Sequence, residues 1–355
     1  MTTISDVARM AKVSVSTVSH VVNGTRLVMD PKRQQVLHAI AALGYVHNAA
    51  ARTLRTSRSE SIGVVVSDTS EPAFAEMIRG IESEARAAGL TLMLTNSAED
   101  PRREAESIAA LVSRRVDGLL IARAAGSRIE PLEALRAKGV PVILLDRLVD
   151  GDWDQVGADN ADPVQAVVSH LIECGHQRIA LIAGDTRVPT LAERRLGYVR
   201  ALEAAGLQVD NALILEGPGH VADTQKAVTR LLRRKDRPTA LFAASSPMTI
   251  GVLSAMRTLG LGTPADLALA HFDGFPHADL FSPGLTSIDQ PAFEVGVEAM
   301  HLLLRRIGEP DSPRQTRRLA PHITHRQSCG CGDPAATLPI GVTSAQQARV
   351  RKTGA

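Results

Sequence analysis

Residues 3–26 read TISDVARMAKVSVSTVSHVVNGTR. Thr3 followed three places on by Asp6 is a capping-box start, and Ile4, Val7, Ala8 and Ala11 then recur at helical spacing as one buried stripe. The break at Lys12 to Ser14 ends that helix, and Ser14 is placed to cap a second whose Val18, Val21 and Val22 face inward. Two short helices joined by so tight a turn, the second polar on its outer side, form a helix-turn-helix. In that motif the second helix lies in the major groove of DNA, and the side chains it would present here include Val15, Ser16, Thr17 and His20. Their chemistry suits base edges: a histidine donates to guanine N7 or O6, a serine donates or accepts, and a valine methyl meets the thymine methyl.

Outward from this motif, Pro31 opens a third helix with Val36, Leu37, Ile40 and Leu43 inward, and Gly44 closes it, which gives a three-helix DNA-binding domain over residues 1–46. Residues 47–60, HNAAARTLRTSRSE, lack a continuous apolar face and predict a marginal hinge helix running into a linker. Residues 1–58 carry eight Lys and Arg against two Asp, a surplus of +6 in a chain whose net charge is +2, so the remainder is −4. A basic head on an acidic body points to double-stranded DNA as the partner of the head alone.

From Ser61 the period changes. Apolar runs SIGVVVS, TLMLTN, DGLLIA, PVILLD, RIALIAG, LILEG, TALFAAS and LALAHFD alternate with amphipathic stretches near 74–88, 101–114, 129–138, 162–174, 191–205, 222–234 and 247–259. Alternating strands and helices predict doubly wound parallel sheets, with strands enough for two of them. Such sheets bind ligands at the carboxyl ends of their strands. Asp146 and Arg147 follow PVILL, Arg194 lies early in the helix after RIALIAG, and Asp273 follows LALAHF. Carboxylates accept paired hydroxyls and arginines donate to oxygen, so this set suits a polyol or a hydroxy acid, with Phe74 to cover an apolar ring face.

Three cysteines, Cys174, Cys329 and Cys331, cannot build a disulfide framework and fit a reducing compartment. No apolar run approaches the ~20 residues of a membrane span and the N-terminus shows no h-region, so the expectation is a cytoplasmic protein without a membrane partner. GPGH at 217–220 lacks the third glycine of a dinucleotide loop, and neither G-x-S-x-G nor a phosphate-binding loop occurs; neither enzymatic activity nor a cofactor is expected. His322, His325, Cys329 and Cys331 resemble a metal set, but two histidines three apart in a strand point to opposite faces, and no metal site is expected. Arg305, Arg306, Arg314, Arg317 and Arg318 read as solvated charges. Residues 333–355 carry no periodicity and predict a disordered tail.

TISDVARMAKVSVSTVSHVVNGTR followed by ALGYVHNAAARTLRTSRSESIGVVV resembles the head and hinge of the LacI/GalR family of bacterial transcription repressors, a likeness running from Thr3 to about Arg326. The resemblance implies that Val15, Ser16 and His20 set base preference and that Thr17, Asn23, Arg26 and Tyr45 support groove and phosphate contacts. It implies a hinge, Asn48 to Arg55, that folds as a helix on the operator and wedges Leu54 into the minor groove at a central CG step, with Arg55 beside it. An apolar wedge offsets unstacking by bending DNA onto more protein. The family core is a two-lobed fold like the type I periplasmic binding proteins. Its crossovers would fall near 159–162, 290–292 and 318–321, giving a core over 61–332 with lobe 1 at about 61–160 and 292–319 and lobe 2 at about 161–291 and 320–332. Effector-binding positions match Ala73, Phe74, Asp146, Arg147, Arg194 and Asp273, and Gln290 marks a crossover. The expected protein is an allosteric transcriptional regulator, a homodimer on a pseudo-palindromic operator, with a sugar or related metabolite as effector and helices 74–88 and 101–114 at the dimer contact. Ser245 and Ser246 stand where many relatives carry Asn-Asp, so the effector cannot be copied from a relative. Two rivals share the core: a solute-binding protein, which would lack the basic head, and an enzyme using Asp146 and Asp273 as acid and base.

Overall fold

The computed structural model describes residues 2–23, 26–45, 58–217, 219–275 and 280–331. The chain divides into two compact units, a head, Met1–Ser59, and a core, Glu60–Ala355.

In the head, α1 (Ile4–Met10) begins with the expected capping box: Asp6 N–H donates to Thr3 Oγ1 at 3.3 Å and Thr3 N–H donates to Asp6 Oδ2 at 3.0 Å. Ser14 accepts from Thr17 N–H at 3.2 Å and so caps α2 (Val15–Asn23). Pro31 lies in the first turn of α3 (Asp30–Leu43), which ends on Gly44 in the left-handed region. Val7, Ala8, Ala11, Val18, Val36 and Ala39 form the small core. Leu37, expected inward, is 42% exposed; the stripe of α3 runs through Val36, Ala39, Ile40 and Leu43, and Leu37 sits about 100° off Val36. The expected hinge helix at 48–55 and the tail at 333–355 lie outside the described residues.

The core is built from two six-stranded sheets. In the first, β1 (Ser61–Val66), β2 (Thr91–Asn96), β3 (Leu119–Ile121), β4 (Val142–Leu145) and β5 (Asp154–Ala158) are joined by β11 (Thr316–Leu319), all parallel, in the order β11-β5-β4-β3-β1-β2. The period-2 alternation of a strand covered on both faces is visible residue by residue. Val64, Val66, Leu120, Ile143 and Leu145 pack on one side with α4 (Pro72–Ala87) and α11 (Ala292–Gly308). Val65, Leu119, Ile121, Val142 and Leu144 pack on the other with α5 (Pro101–Ser113) and α6 (Glu130–Ala137).

The second sheet repeats that order as β12-β10-β9-β8-β6-β7, from β6 (Ile179–Gly184), β7 (Ile214–Glu216), β8 (Ala240–Ala243), β9 (Ala268–Phe272), β10 (Thr286–Asp289) and β12 (His322–Thr324). Around it lie α7 (Ala161–Glu173), α8 (Pro189–Ala204), α9 (Val221–Leu232) and α10 (Ser246–Leu259). The chain passes between the sheets after β5, after β10 and between β11 and β12. The last passage has only Ala320 and Pro321 between strands, so β12 starts where β11 leaves the first sheet, at the cleft side of the second. β12 accordingly enters the second sheet antiparallel to β10, the one departure from the parallel pattern among the described pairings.

Of the C-terminal arginines read as solvated charges, Arg318 is exposed, whereas Arg305, Arg306, Arg314 and Arg317 are at least half-buried in ion pairs. Asp154, fully buried at the start of β5, is ion-paired to Arg305 at 3.0 Å, Arg306 at 2.6 Å and Arg314 at 3.6 Å. Arg317 pairs with Glu298, and Arg318 reaches from the first lobe to Glu193 of the second at 2.7 Å.

Candidate functional site: the interlobe cleft and the reading helix

Strand ends of both lobes open onto one cavity of about 770 Å³. All six effector positions expected from the sequence, Ala73, Phe74, Asp146, Arg147, Arg194 and Asp273, line it, as does Gln290. Asp146 follows β4 and Asp273 follows β9, strands that hold the same place in their two sheets. Both residues adopt φ of 64°, a left-handed conformation that aspartate tolerates better than most side chains. Their N–H groups donate into the neighbouring strand, Asp146 to Val156 O at 2.8 Å and Asp273 to Ile288 O at 2.9 Å. β5 can lie this close because residue 157 is glycine: a Cβ there would fall 2.7 Å from Asp146 O.

Arg194 is buried, with Nε donating to Asn160 Oδ1 at 2.8 Å and Nη1 to Ala244 O at 2.7 Å and Asp273 Oδ2 at 3.2 Å, while its guanidinium carbon lies 3.5 Å from the centre of the Phe272 ring. None of these bonds uses Nη2. Arg147 is held more fully: Nη1 donates to Glu99 Oε2 at 2.9 Å and Arg123 O at 2.5 Å, and Nη2 to Ser67 Oγ at 3.0 Å and to Glu99 Oε1. Its Nε is buried without a hydrogen bond, and so is Gln290 Oε1, although Gln290 Nε2 donates to Asp273 Oδ1. Buried polar atoms left unpaired cost about 1–3 kcal/mol each, so a donor and an acceptor beside one cavity mark it as a place for a ligand with hydroxyl or carbonyl groups.

The cavity is rich in carboxylates. Burial pushes Asp146 up to about 6, against the pull of Arg147 and Arg194 and with the help of Asp273. Burial also pushes Glu71 up to about 7, reinforced by Asp273, Asp146 and Asp68 against Arg147. Burial would raise Glu99 too, but the hydrogen bond and charge of Arg147 outweigh it and hold the carboxyl below its usual value. Asp68, Glu71, Glu99, Asp185 and Glu216 were missed as candidates although they line the cavity. The strand-end rule would have found Asp68 after β1, Glu99 after β2, Asp185 after β6 and Glu216 at the end of β7.

In the head, Val15 and Ser16 are exposed at the start of α2, Thr17 and His20 are half-buried, Arg26 is exposed, and Tyr45 packs against the small core. The Thr17 hydroxyl is tied to Ser14 Oγ at 2.8 Å. The side chain of Asn23 and all of Leu54 and Arg55 lie outside the described residues. The rejected metal set is partly reassembled: His322 is exposed, whereas His325 and Cys329 meet His170 of α7.

Residues 3–48 match the family model of bacterial regulatory proteins, lacI family, and residues 59–326 match that of periplasmic binding proteins and the sugar binding domain of LacI family. The HTH-type transcriptional repressor PurR of Haemophilus influenzae is 35% identical over 312 residues, covering 88% of this chain and 93% of that protein. The lac repressor dimer bound to operator and the anti-inducer ONPF is similar with a TM-score of 0.82 at 25% identity, over 92% of this chain and 99% of that chain. A LacI family transcriptional regulator from Enterococcus faecium with bound ribose gives a TM-score of 0.67 at 29% identity, over 76% of this chain and 98% of that chain. No described helix is long and apolar enough to cross a membrane. Matched through its helix-turn-helix and through both lobes around the cleft, the chain belongs to the LacI family of bacterial regulatory proteins.

Proposed function

We propose that the protein is a transcriptional repressor that binds a pseudo-palindromic operator as a homodimer and is controlled by a sugar or sugar derivative held in the interlobe cleft. The observation that carries the reading is one polar cavity lined by the matching aspartates Asp146 and Asp273, in a chain whose head exposes Val15 and Ser16 at the start of the second helix of a helix-turn-helix. Val15, Ser16 and His20 read base edges; Thr17, Asn23, Arg26 and Tyr45 position the head on groove and phosphates; Leu54 wedges the minor groove with Arg55 alongside. In the cleft, Asp146 and Asp273 accept from hydroxyls, Arg194 donates to ring or hydroxyl oxygens, and Phe74, with Ala73, covers an apolar face. The relatives named above as repressors and the relative carrying ribose support this assignment.

A ligand touching both lobes favours one lobe arrangement over another, and the hinge transmits the difference. Ordering each hinge residue costs about 1–2 kcal/mol, so a modest change in lobe geometry is enough to shift DNA affinity. The cleft carboxylates act here as hydroxyl acceptors, not as an acid and base. The test is fluorescence anisotropy of the protein on a pool of CG-centred palindromes at physiological salt, with and without a panel of sugars and sugar acids, followed by chromatography of the sugars. Selective binding that one sugar changes, with that sugar recovered intact, is expected. Sequence-indifferent binding under every ligand, or a consumed sugar, would return the solute-binding or enzymatic reading.

A further inference from the structure

The face of lobe 2 remote from the cleft collects all three cysteines of the chain with two histidines. α7 starts at the cleft, where Asn160 precedes it, and runs about 15 Å along its axis to His170. His170 and Cys174 stand four apart at the end of that helix, a spacing that puts both side chains on one side of it. β12 also leads away from the cleft, and the chain beyond it brings in His325, Cys329 and Cys331 through the short turn Gln327–Cys329. His170 Nε2 lies 3.4 Å from Cys329 Sγ and 3.6 Å from Cys174 Sγ. The His170 and His325 rings are 4.2 Å apart, and one ligand atom from each of His170, His325 and Cys329 falls within 4.8 Å of the others. His325 is buried with Nδ1 lacking a hydrogen bond.

We propose that His170, His325 and Cys329 are the three protein ligands of a tetrahedral site for one thiophilic divalent cation of the zinc class, with a water molecule as the fourth. Zinc bonds of about 2.3 Å to sulfur and about 2.0 Å to nitrogen place neighbouring ligand atoms roughly 3.3–3.8 Å apart, and the His170–Cys329 separation of 3.4 Å falls in that range. Cys331 Sγ, only 2.9 Å from Cys329 Sγ, is nearer than two vertices of such a tetrahedron, and Cys174 Sγ stands outside the three mutually close ligand atoms, so neither is a ligand. The matching parts of lobe 1 are joined by charge instead, Asp154 of β5 by the arginines that end α11. In lobe 2 the ion takes that place and fastens the end of the described chain to α7.

The experiment uses the full-length protein, reduced, stripped with chelator and titrated with Co²⁺, then with Zn²⁺ in competition. One Co²⁺ per chain is expected, with the strong visible absorption of a tetrahedral site and a near-ultraviolet thiolate band, both abolished by Zn²⁺. Cys329→Ser and His170→Ala are expected to bind on the order of 100-fold more weakly, at least what loss of a supporting group costs, and His322→Ala to bind as the parent does. Because Cys329 is buried, His170→Ala provides the ligand variant at the half-buried helix end, and Cys174→Ser, which removes no ligand, should fold and keep the whole thiolate band. A pale octahedral spectrum, equal uptake by Cys329→Ser, or a Cys329–Cys331 disulfide with no metal uptake after reduction would overturn the proposal.

Discussion

Asp146 and Asp273 share a left-handed backbone, and Asp146 carries a second cost, a carboxylate buried away from water with Asp273 nearby. Each strained φ costs on the order of 1 kcal/mol and persists because the neighbouring strand holds it. The electrostatic cost has a definite sign. Asp146 and Glu71 titrate higher in the folded chain than the ~4 of an unfolded one, so between about pH 4 and pH 7 the folded state holds more protons. Their contribution to stability therefore falls as pH rises through that window. Asp146→Asn, which keeps the shape and tolerates the same φ, should be more stable than the parent by about 2–3 kcal/mol at pH 8, with the difference gone near pH 4. Urea unfolding at both pH values measures it, and a variant no more stable than the parent at pH 8 removes the argument. At this scale the cleft was legible because charged residues at strand ends are exceptional in apolar strands. Glu71 was not, since it precedes a helix and nothing local marks it.

Helices α4 and α11 meet through two glycines. A Cβ on Gly80 would stand 2.2 Å from Phe293 O, and one on Gly296 would stand 2.0 Å from Met77 O. Backbone faces backbone, so no rotamer relieves the collision. Gly296→Val should lower stability by roughly 1–3 kcal/mol or more, the cost of overpacking, seen as a fall in melting temperature; a melting temperature equal to the parent's would mean that the helices slide apart freely. Most elements were readable from periodicity, since strands buried on both faces are runs of apolar residues. β5, DQVGA, was not, because it has no such run: it is a strand whose first residue is a buried aspartate satisfied by arginines about 150 residues away. A similar distance hid half of the imidazole and thiol cluster: His325 and Cys329 were in view but set aside because His322 faces away from them, and His170, 159 residues from Cys329, was not legible as their neighbour.

At the scale of the whole molecule, β2 is an edge strand of the first sheet, and Leu92, Met93 and Leu94 on it are partly exposed, Leu94 at 42%. An apolar edge between α4 and α5 invites pairing with a second copy. Leu94→Lys should shift the protein toward monomer in sedimentation and weaken operator binding on the order of 1000-fold, toward the non-specific level, because each head reads only half a palindrome. A dimer of unchanged strength would place the contact elsewhere. The two sheets share one strand order, with β4 and β9 in the same place and an aspartate at φ of 64° after each. Asn160 after β5 and Gln290 after β10 complete the parallel, one accepting from Arg194 and the other donating to Asp273. The cleft is therefore a pair of facing jaws cut to one template. On the reading proposed above, a molecule resting on one jaw would be half recognised, and a shape that answers the same motif twice, from opposite edges, would engage both.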